Sequence, residues 1–166
     1  MLFALTGMEI LWAPWRAEYV RRGAETGECV FCAALASADD RARLVLVREP
    51  AAFALLNAYP YAPGHLLVAV SRHVGSYEAL AEDELLALGR LVQRGIRALQ
   101  AAFHPEGFNL GINQGRVAGA GFEGHLHVHI VPRWNGDTNF MPTVGGVKVL
   151  SQDPGGTFEA LLPHFQ

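Results

Sequence analysis

Apolar positions along this 166-residue chain fall into short runs separated by turn residues, which predicts a sheet-forming protein. Four such runs are predicted strands: 44–48, 52–57, 65–70 and 108–113. Glu49-Pro50 between the first two runs indicates a hairpin turn. The third run is apolar almost throughout, so we expect a strand that is buried on both faces.

One longer segment, 82–103, has apolar residues at every third or fourth position, which places them on one face of a helix. These positions are Leu85, Leu88, Val92, Ile96, Leu99 and Phe103. Acidic residues in its first turn and Pro105 after its last residue are typical of a helix start and end. We interpret this stripe as a core contact. Weaker patterns predict a short amphipathic helix at 11–22, an edge strand at 147–150 and a short helix at 157–165.

The most regular pattern lies in residues 125–130, where three histidines alternate with three aliphatic residues. On a strand, His125, His127 and His129 would share one face and the aliphatic residues the other. The histidines could be polar filler on a sheet face, zinc ligands of the His-x-His type, or catalytic groups, since imidazole is often neutral near pH 7.

The residues around the histidines favour the catalytic interpretation. The preceding segment, 113–124, contains four glycines and no periodicity. It is therefore predicted to be a loop whose backbone N–H groups can approach an anion such as phosphate. Arg133 adds a positive charge after the strand. Together, the strand and its predicted loop indicate chemistry at phosphate.

Composition narrows the classes of function. Charged residues make up 17% of the chain and apolar residues 51%; the low charge hints at an oligomer interface. A net charge of −3 argues against general nucleic-acid binding, which needs a basic face, but a small nucleotide needs only local donors. No run approaches the ~20 apolar residues of a membrane span, and residues 1–7 lack the basic start of a signal peptide. We therefore expect a cytoplasmic protein with no membrane partner.

The two cysteines form a Cys29-x-x-Cys32 pair, which is typical of a metal site or a redox pair. Nothing around them resembles the strand-to-helix unit of a thioredoxin-like redox site. The pair supplies only two ligands, so a zinc ion would need two more. From the residues alone, both a metal site and a pair of packed, reduced thiols stay open.

The predicted elements sum to an α+β domain, an antiparallel five-stranded sheet with one long helix on one side and a short C-terminal helix. Residues 124–132 resemble the signature of the histidine triad (HIT) superfamily of nucleotidyl hydrolases and transferases. Residues 132–142 and 12–16 resemble its bacterial branch related to diadenosine tetraphosphate phosphorylases. The resemblance begins near Met8; it implies a single HIT-like domain over 8–166, an N-terminal extension over 1–7, and a homodimer.

The resemblance also implies roles for individual residues. His127 would attack the α-phosphorus of a nucleotide and form a nucleotidyl-histidine intermediate. His129 and His65 match the other active-site histidines, which contact phosphate and hold the hydrogen bonds of the site. A purely structural histidine is the alternative for His65. Asn57 matches a nucleoside contact, and Leu55 and Leu56 could flank the base.

The phosphate would be held by the loop before the triad, including Asn113, Gly119 and Gly121, together with His129. Here the chain departs from the family pattern. Residues 121–124 contain no hydroxyl or amide side chain, where many members carry one that donates to the phosphate. Backbone N–H groups would have to take its place, which leaves the exact substrate open.

Four residues match positions that bind zinc in some members: Cys29, Cys32, His73 and His125. Two thiolates and two imidazoles complete a tetrahedral structural site, and they leave the other two triad histidines for chemistry. No organic cofactor is expected.

The resemblance thus favours cleavage of dinucleoside polyphosphates, diadenosine tetraphosphate above all, with phosphate or water as the acceptor. Alternatives are hydrolysis of other nucleotide conjugates such as nucleoside phosphoramidates, a metal-dependent enzyme that uses the triad as zinc ligands, and a nucleotide-binding module without turnover.

Overall fold

The computed structural model describes residues 28–138 and 152–166. Its centre is a five-stranded sheet in the order β1-β2-β3-β5-β4, in which every neighbouring pair is antiparallel. The strands are β1 (Val45–Arg48), β2 (Ala52–Leu56), β3 (Leu66–Val70), β4 (Gly107–Ile112) and β5 (His127–Arg133). Both the fold class and the five strands predicted from the sequence are confirmed.

Three α-helices accompany the sheet: α1 (Val30–Ala36), α2 (Glu82–Phe103) and α3 (Pro154–Leu161). The long helix α2 has the predicted bounds. The helix predicted at 157–165 is in fact two elements. Helix α3 begins earlier, at Pro154, after the capping carboxylate of Asp153, and a 3₁₀ turn follows it at Leu162–Phe165. Helix α1 was not predicted. The predicted elements at 11–22 and 147–150, and the extension 1–7, lie outside the described residues.

Helix α2 covers one face of the sheet. Leu88, Leu91 and Leu99 are buried against strands β2, β3 and β5. Leu88 and Leu99 belong to the predicted apolar stripe, whereas Leu91 lies beside it. Gly95 lies where the helix comes closest to the sheet, since a Cβ there would be 3.1 Å from Cδ1 of Ile130. The small residue thus permits close packing of helix on sheet, which offsets the low helix propensity of glycine.

Helix α1 packs on the opposite face, over strands β1, β2 and β3. Its Phe31 and Ala34 are buried with Phe53, Leu55 and Leu67 in a second, smaller core. Helix α1 has only seven residues, so it leaves the part of this face that lies over β5 and β4 to other side chains. The histidines of β5 lie at the boundary of the two regions.

Strand β5 divides its side chains between the two faces. Val128 and Ile130 join the core under α2, and the rings of His127 and His129 lie against each other on the other face. The strand begins at His127, two residues later than the pattern of histidines predicts. His125 precedes it, because the neighbouring Leu126 N–H donates to the carbonyl of Val74 instead of joining the ladder.

The end of β3 is tied to the start of α2. The guanidinium of Arg72 donates to both carboxylate oxygens of Glu84, at 2.8 and 2.7 Å. The same carboxylate accepts from the N–H of Ala81, the residue before the helix. The Arg72 guanidinium therefore lowers the pKa of Glu84 to about 2. This link holds the residues that follow β3, including His73, in a defined place.

Within residues 28–138 and 152–166, none of the helices combines the length and the apolar character needed to cross a bilayer.

Candidate active site and metal centre

His127 is held by a hydrogen bond to its own strand. Its Nδ1 lies 2.8 Å from the carbonyl oxygen of His125. A carbonyl oxygen can only accept, so Nδ1 carries the proton and donates. In the neutral ring the lone pair is therefore on Nε2. His127 is only 6% exposed. The hydrogen bond thus gives this buried ring one defined tautomer, with the lone pair on Nε2.

A second chain of hydrogen bonds sets the tautomer of His129. The backbone N–H of Tyr61 donates to Nδ1 of His65 at 3.1 Å, and the side-chain nitrogen of Asn57 lies 3.3 Å from the same atom. Nδ1 of His65 is thus an acceptor and its Nε2 a donor. Nε2 of His65 lies 2.9 Å from Nδ1 of His129. His129 consequently accepts at Nδ1 and, when neutral, carries its proton on Nε2.

These two histidines have complementary chemistry. Their ring centroids are 4.9 Å apart, with 61° between the ring planes. His127 provides a lone pair and His129 an N–H donor on the same face of the sheet. A group that is attacked by the first and develops negative charge can be stabilised by the second.

The third triad histidine, His125, turns to a different group. Its Nδ1 lies 3.3 Å from Sγ of Cys29 and 3.6 Å from Sγ of Cys32, and Nδ1 of His73 lies 3.2 Å from Sγ of Cys32. The ligand atoms of these four residues, the Cys2His2 cluster, all lie within 4.8 Å of one another. In a tetrahedral zinc site, sulfur and nitrogen ligands are roughly 3.6 Å apart. The cluster therefore fits a metal ion of this kind.

The surroundings of His125 prepare it as a ligand. Its Nε2 lies 2.7 Å from the carbonyl oxygen of Val70 and donates to it. The lone pair of the neutral ring is therefore on Nδ1, which faces the sulfur atoms. Burial lowers the pKa of His125. A lower pKa favours the neutral ring, the form that binds metals. Burial also raises the pKa of the Cys29 thiol to about 11. A bound cation would reverse that effect and stabilise the thiolate.

A close backbone approach brings His73 to the cluster. A Cβ at Gly75 would lie 2.5 Å from the carbonyl oxygen of Glu123, so only glycine fits there. A Cβ at Gly124 would lie 3.2 Å from Nε2 of His73. The segment after β3 and the segment before the triad thus run against each other, and two ligands meet although they are far apart in the chain.

Two clefts lie near the histidine pair: the edge cleft includes His129, and the apolar cleft is separated from His127 by Phe31. The apolar cleft, of about 310 Å³, has walls formed by Phe31, Leu55, Leu56, Asn57, Gly121 and Phe122, among others. The edge cleft, of about 400 Å³, is lined by Tyr61, Asn109, Asn113, His129 and Arg133, among others. The apolar cleft has the character of a base or nucleoside site. The edge cleft is mixed, since Leu110 and Val131 line it together with the polar side chains, and Arg133 is already paired with Asp137.

The candidate substrate-binding residues are distributed between the clefts. Asn57 and Gly121 line the apolar cleft, as do Leu55 and Leu56. The side-chain oxygen of Asn57 accepts from the N–H of Tyr59, so this amide orders the site as well as facing the cleft.

The remaining loop candidates differ from each other in their surroundings. Asn113 lies beside His129 in the edge cleft. Gly119 is exposed, at the end of a short 3₁₀ turn, and neither lining set drawn from the described residues includes it.

Sequence reasoning missed three aromatic residues of the site. Phe31 packs its ring against His125 and His127, at centroid distances of 5.0 and 4.6 Å. Phe122 packs against Phe31, and Tyr61 stacks on His65 at 4.7 Å. Single aromatic residues in apolar surroundings are ordinary core residues in a sequence. Phe31 alone had a local signal, since it lies between the two cysteines.

Comparisons with known proteins agree with this geometry. A family model described as "HIT domain" matches residues 40–136. The AP-4-A phosphorylase of Mycobacterium tuberculosis is 38% identical over 152 residues, which cover 87% of this chain and 78% of that protein. The bis(5'-adenosyl)-triphosphatase of Dictyostelium discoideum is 37% identical over 81 residues, 49% of this chain and 54% of that protein.

A solved structure gives a further comparison. The crystal structure of a zinc-bound histidine triad family protein from Mycobacterium smegmatis superposes with a TM-score of 0.66. The two chains are 25% identical, and the match covers 84% of this chain and 94% of the other.

The hydrogen bonds predict three specific tautomers. At pH 8, long-range ¹H–¹⁵N spectra should show His127 protonated on Nδ1, because the carbonyl of His125 can only accept. Both His65 and His129 should be protonated on Nε2, because the N–H of Tyr61 can only donate to His65 and His65 then donates to His129. The exposed His164 serves as an internal reference. A proton on Nε2 of His127 would contradict the arrangement.

Proposed function

The chain belongs to the HIT domain family, and on that premise we propose that it cleaves dinucleoside polyphosphates through a nucleotidyl-histidine intermediate on His127. The observation that carries the proposal is the hydrogen bond of 2.8 Å from Nδ1 of His127 to the carbonyl of His125, which leaves Nε2 as the nucleophile. The apolar cleft next to this ring suits the nucleoside. The two named relatives are a phosphorylase and a triphosphatase of adenosine polyphosphates, which supports this class of substrate.

In the proposed reaction, Nε2 of His127 attacks the α-phosphorus while the bond to the bridging oxygen breaks. With diadenosine tetraphosphate, AMP becomes attached to His127 and ATP leaves. The Nε2–H of His129 stabilises the negative charge on the phosphoryl oxygens. A second displacement regenerates the imidazole. Phosphate as acceptor gives ADP, and water gives AMP.

His65 acts through His129, since it donates to Nδ1 of that ring. Asn57 and the backbone N–H of Tyr61 hold His65 in turn. In the loop, Asn113 and the backbone N–H groups around Gly119 and Gly121 take the role of the missing hydroxyl or amide in phosphate binding. We place the nucleoside in the apolar cleft, between Leu55, Leu56 and Phe122.

The acceptor is decided by one assay. Diadenosine tetraphosphate is incubated with the full chain, with and without inorganic phosphate, and the products are separated. Because the mycobacterial relative is a phosphorylase, we expect ADP and ATP when phosphate is present. AMP and ATP at equal rates in both samples would identify a hydrolase. Turnover only of a nucleoside phosphoramidate would identify the alternative substrate class.

Replacement of His127 by Asn or Gly should lower turnover by at least about 1,000-fold, because the variant lacks the nucleophile. AMP affinity should stay within tenfold, or ~1.4 kcal/mol, because attack and ground-state binding are separate tasks. Mass spectrometry should find an adduct of one AMP on the triad peptide of the wild type only.

The matched control is His104→Asn. His104 is exposed and has a φ of +49°, a conformation that asparagine also adopts readily, so this variant should behave as wild type. Near-normal turnover by His127→Asn would exclude the nucleotidyl-histidine mechanism. Tight AMP binding without turnover of any substrate in the wild type would indicate a binding module.

We also propose that the Cys2His2 cluster holds a structural zinc ion. Two thiolates and two imidazoles are the ligand set of closed tetrahedral zinc sites. The cluster takes up one triad histidine, His125, whereas Nδ1 of His127 and Nδ1 of His129 are engaged in hydrogen bonds to other groups. This arrangement favours a structural role for the metal over a catalytic one.

The zinc content of protein purified without chelator tests this proposal. We expect close to one zinc per chain, and Cys32→Ser should lower both the zinc content and the melting temperature, because the ion links α1 to the sheet. Ser37→Ala, at the far end of α1, is the control. Less than about 0.2 zinc per chain would favour two packed, reduced thiols instead.

Finally, we propose that the protein is a homodimer that pairs through the edge of the sheet at β4. In the described residues β4 pairs only with β5, and its Leu110 and Ile112 are 51% and 37% exposed. An apolar edge strand of this kind favours pairing with another chain. Light scattering should give about twice the 18.0 kDa of one chain, and Leu110→Glu should give monomers. A monomeric wild type would refute the proposal.

A further inference from the structure

Phe31 connects two parts of the site that have separate chemistry. It lies between the two cysteines of the Cys2His2 cluster, in the first turn of α1. Its side chain is fully buried, and its ring centroid lies 4.6 Å from that of His127, with 34° between the planes. Phe31 also borders the apolar cleft. It thus contacts the proposed nucleophile and supports the proposed nucleoside site from behind, while Cys29 and Cys32 on either side of it are candidate metal ligands.

The contact with Phe31 restricts the ring of His127. The hydrogen bond to His125 holds Nδ1 but permits some rotation of the ring about that bond. Phe31 packs on one side of the imidazole, and the ring of His129 lies at an angle of 61° to it. These contacts limit the remaining rotation. In-line displacement requires the Nε2 lone pair to point at phosphorus, and a misplacement of about 1 Å can lower a rate by two orders of magnitude.

The position of Phe31 depends in turn on the cluster. Sγ of Cys29 accepts the backbone N–H of Cys32 at 3.4 Å, which caps α1. The two sulfur atoms contact the ring nitrogens of His125 and His73. The turn that carries Phe31 is therefore held by the groups that would bind the metal ion. These contacts are hydrogen bonds to sulfur, so a cation coordinated by all four groups would hold the turn more firmly.

We propose that Phe31 is a positioning residue that couples the metal cluster to the nucleophile. A metal ion bound by the cluster would fix the turn from Cys29 to Cys32. This turn holds Phe31 against His127, and Phe31 also supports the wall of the proposed nucleoside site. Metal retention and nucleotide binding then stabilise each other, because coupling between two sites is reciprocal. This inference rests on the proposed nucleotidyl transfer at His127.

The first test compares Phe31→Leu with Phe122→Leu in the full, zinc-loaded chain. Phe122 also lines the apolar cleft, and its ring contacts Phe31 and His73. Its substitution by Leu keeps both rings of the Phe31–His127 contact. At saturating substrate, Phe31→Leu should form the AMP adduct about 10- to 100-fold more slowly than wild type. Phe122→Leu should weaken AMP binding, because it changes the wall of the cleft. The control is Phe165→Leu, in the core under α2, which should leave both AMP binding and the adduct rate within threefold of wild type.

A Phe31→Leu variant that only binds AMP more weakly, with an unchanged rate of adduct formation, would overturn the positioning role. The zinc content and melting temperature of each variant are compared with those of wild type, and only folded variants are assayed. If Phe31→Leu does not fold, Phe31→Met provides the same test, because it removes the ring with little change in volume and a flexible side chain fills the gap.

The second test measures zinc and does not depend on turnover. A chelator is added to the full chain with and without saturating AMP, and the release of zinc is followed. AMP should slow the release from wild type and from Phe165→Leu by about fivefold or more, and it should not slow release from Phe31→Leu. Equal release with and without AMP from wild type that demonstrably binds AMP would overturn the coupling. Failure of wild type to bind AMP at all would instead overturn the proposed function.

Discussion

The hydrogen bond from Nδ1 of His127 to the carbonyl of His125 is the constraint on which the site depends. It decides which nitrogen of the ring carries the proton, and therefore which nitrogen holds the lone pair. The acceptor is the backbone of the residue two positions earlier, so this bond needs no distant partner. That carbonyl lies just before the start of β5 at His127, where the N–H of Leu126 is bonded to the carbonyl of Val74 and the ladder has not yet begun.

The sheet gives this local arrangement its rigidity. Strand β5 lies between β3 and β4, and its Val128 and Ile130 are buried under α2. Any shift of β5 by one residue would place histidines in that core and aliphatic residues in the site. The apolar face thus fixes the register of the histidine face. The close approach of α2 at Gly95 supports the same strand from behind.

The three triad histidines differ in their hydrogen-bond partners. His125 donates to the carbonyl of Val70 and turns its other nitrogen to the cysteines. His129 accepts from His65, and His127 is held by the backbone. Identical side chains at alternate positions therefore have three different sets of hydrogen-bond partners. A low-dielectric environment makes each of these hydrogen bonds more effective and each tautomer more strongly preferred.

The sequence by itself determined the period-two pattern that places the histidines on one face, the bounds of α2 and the α+β class, because these depend on periodicity over neighbouring residues. Resemblance, and not spacing, implied that Cys29 and Cys32 belong with His73 and His125. Only the tertiary structure decided that these four meet, that α1 exists, and that Phe31 lies on His127. A helix of seven residues is too short to be stable alone, and contacts between residues about a hundred positions apart leave no local pattern, so packing alone settles them.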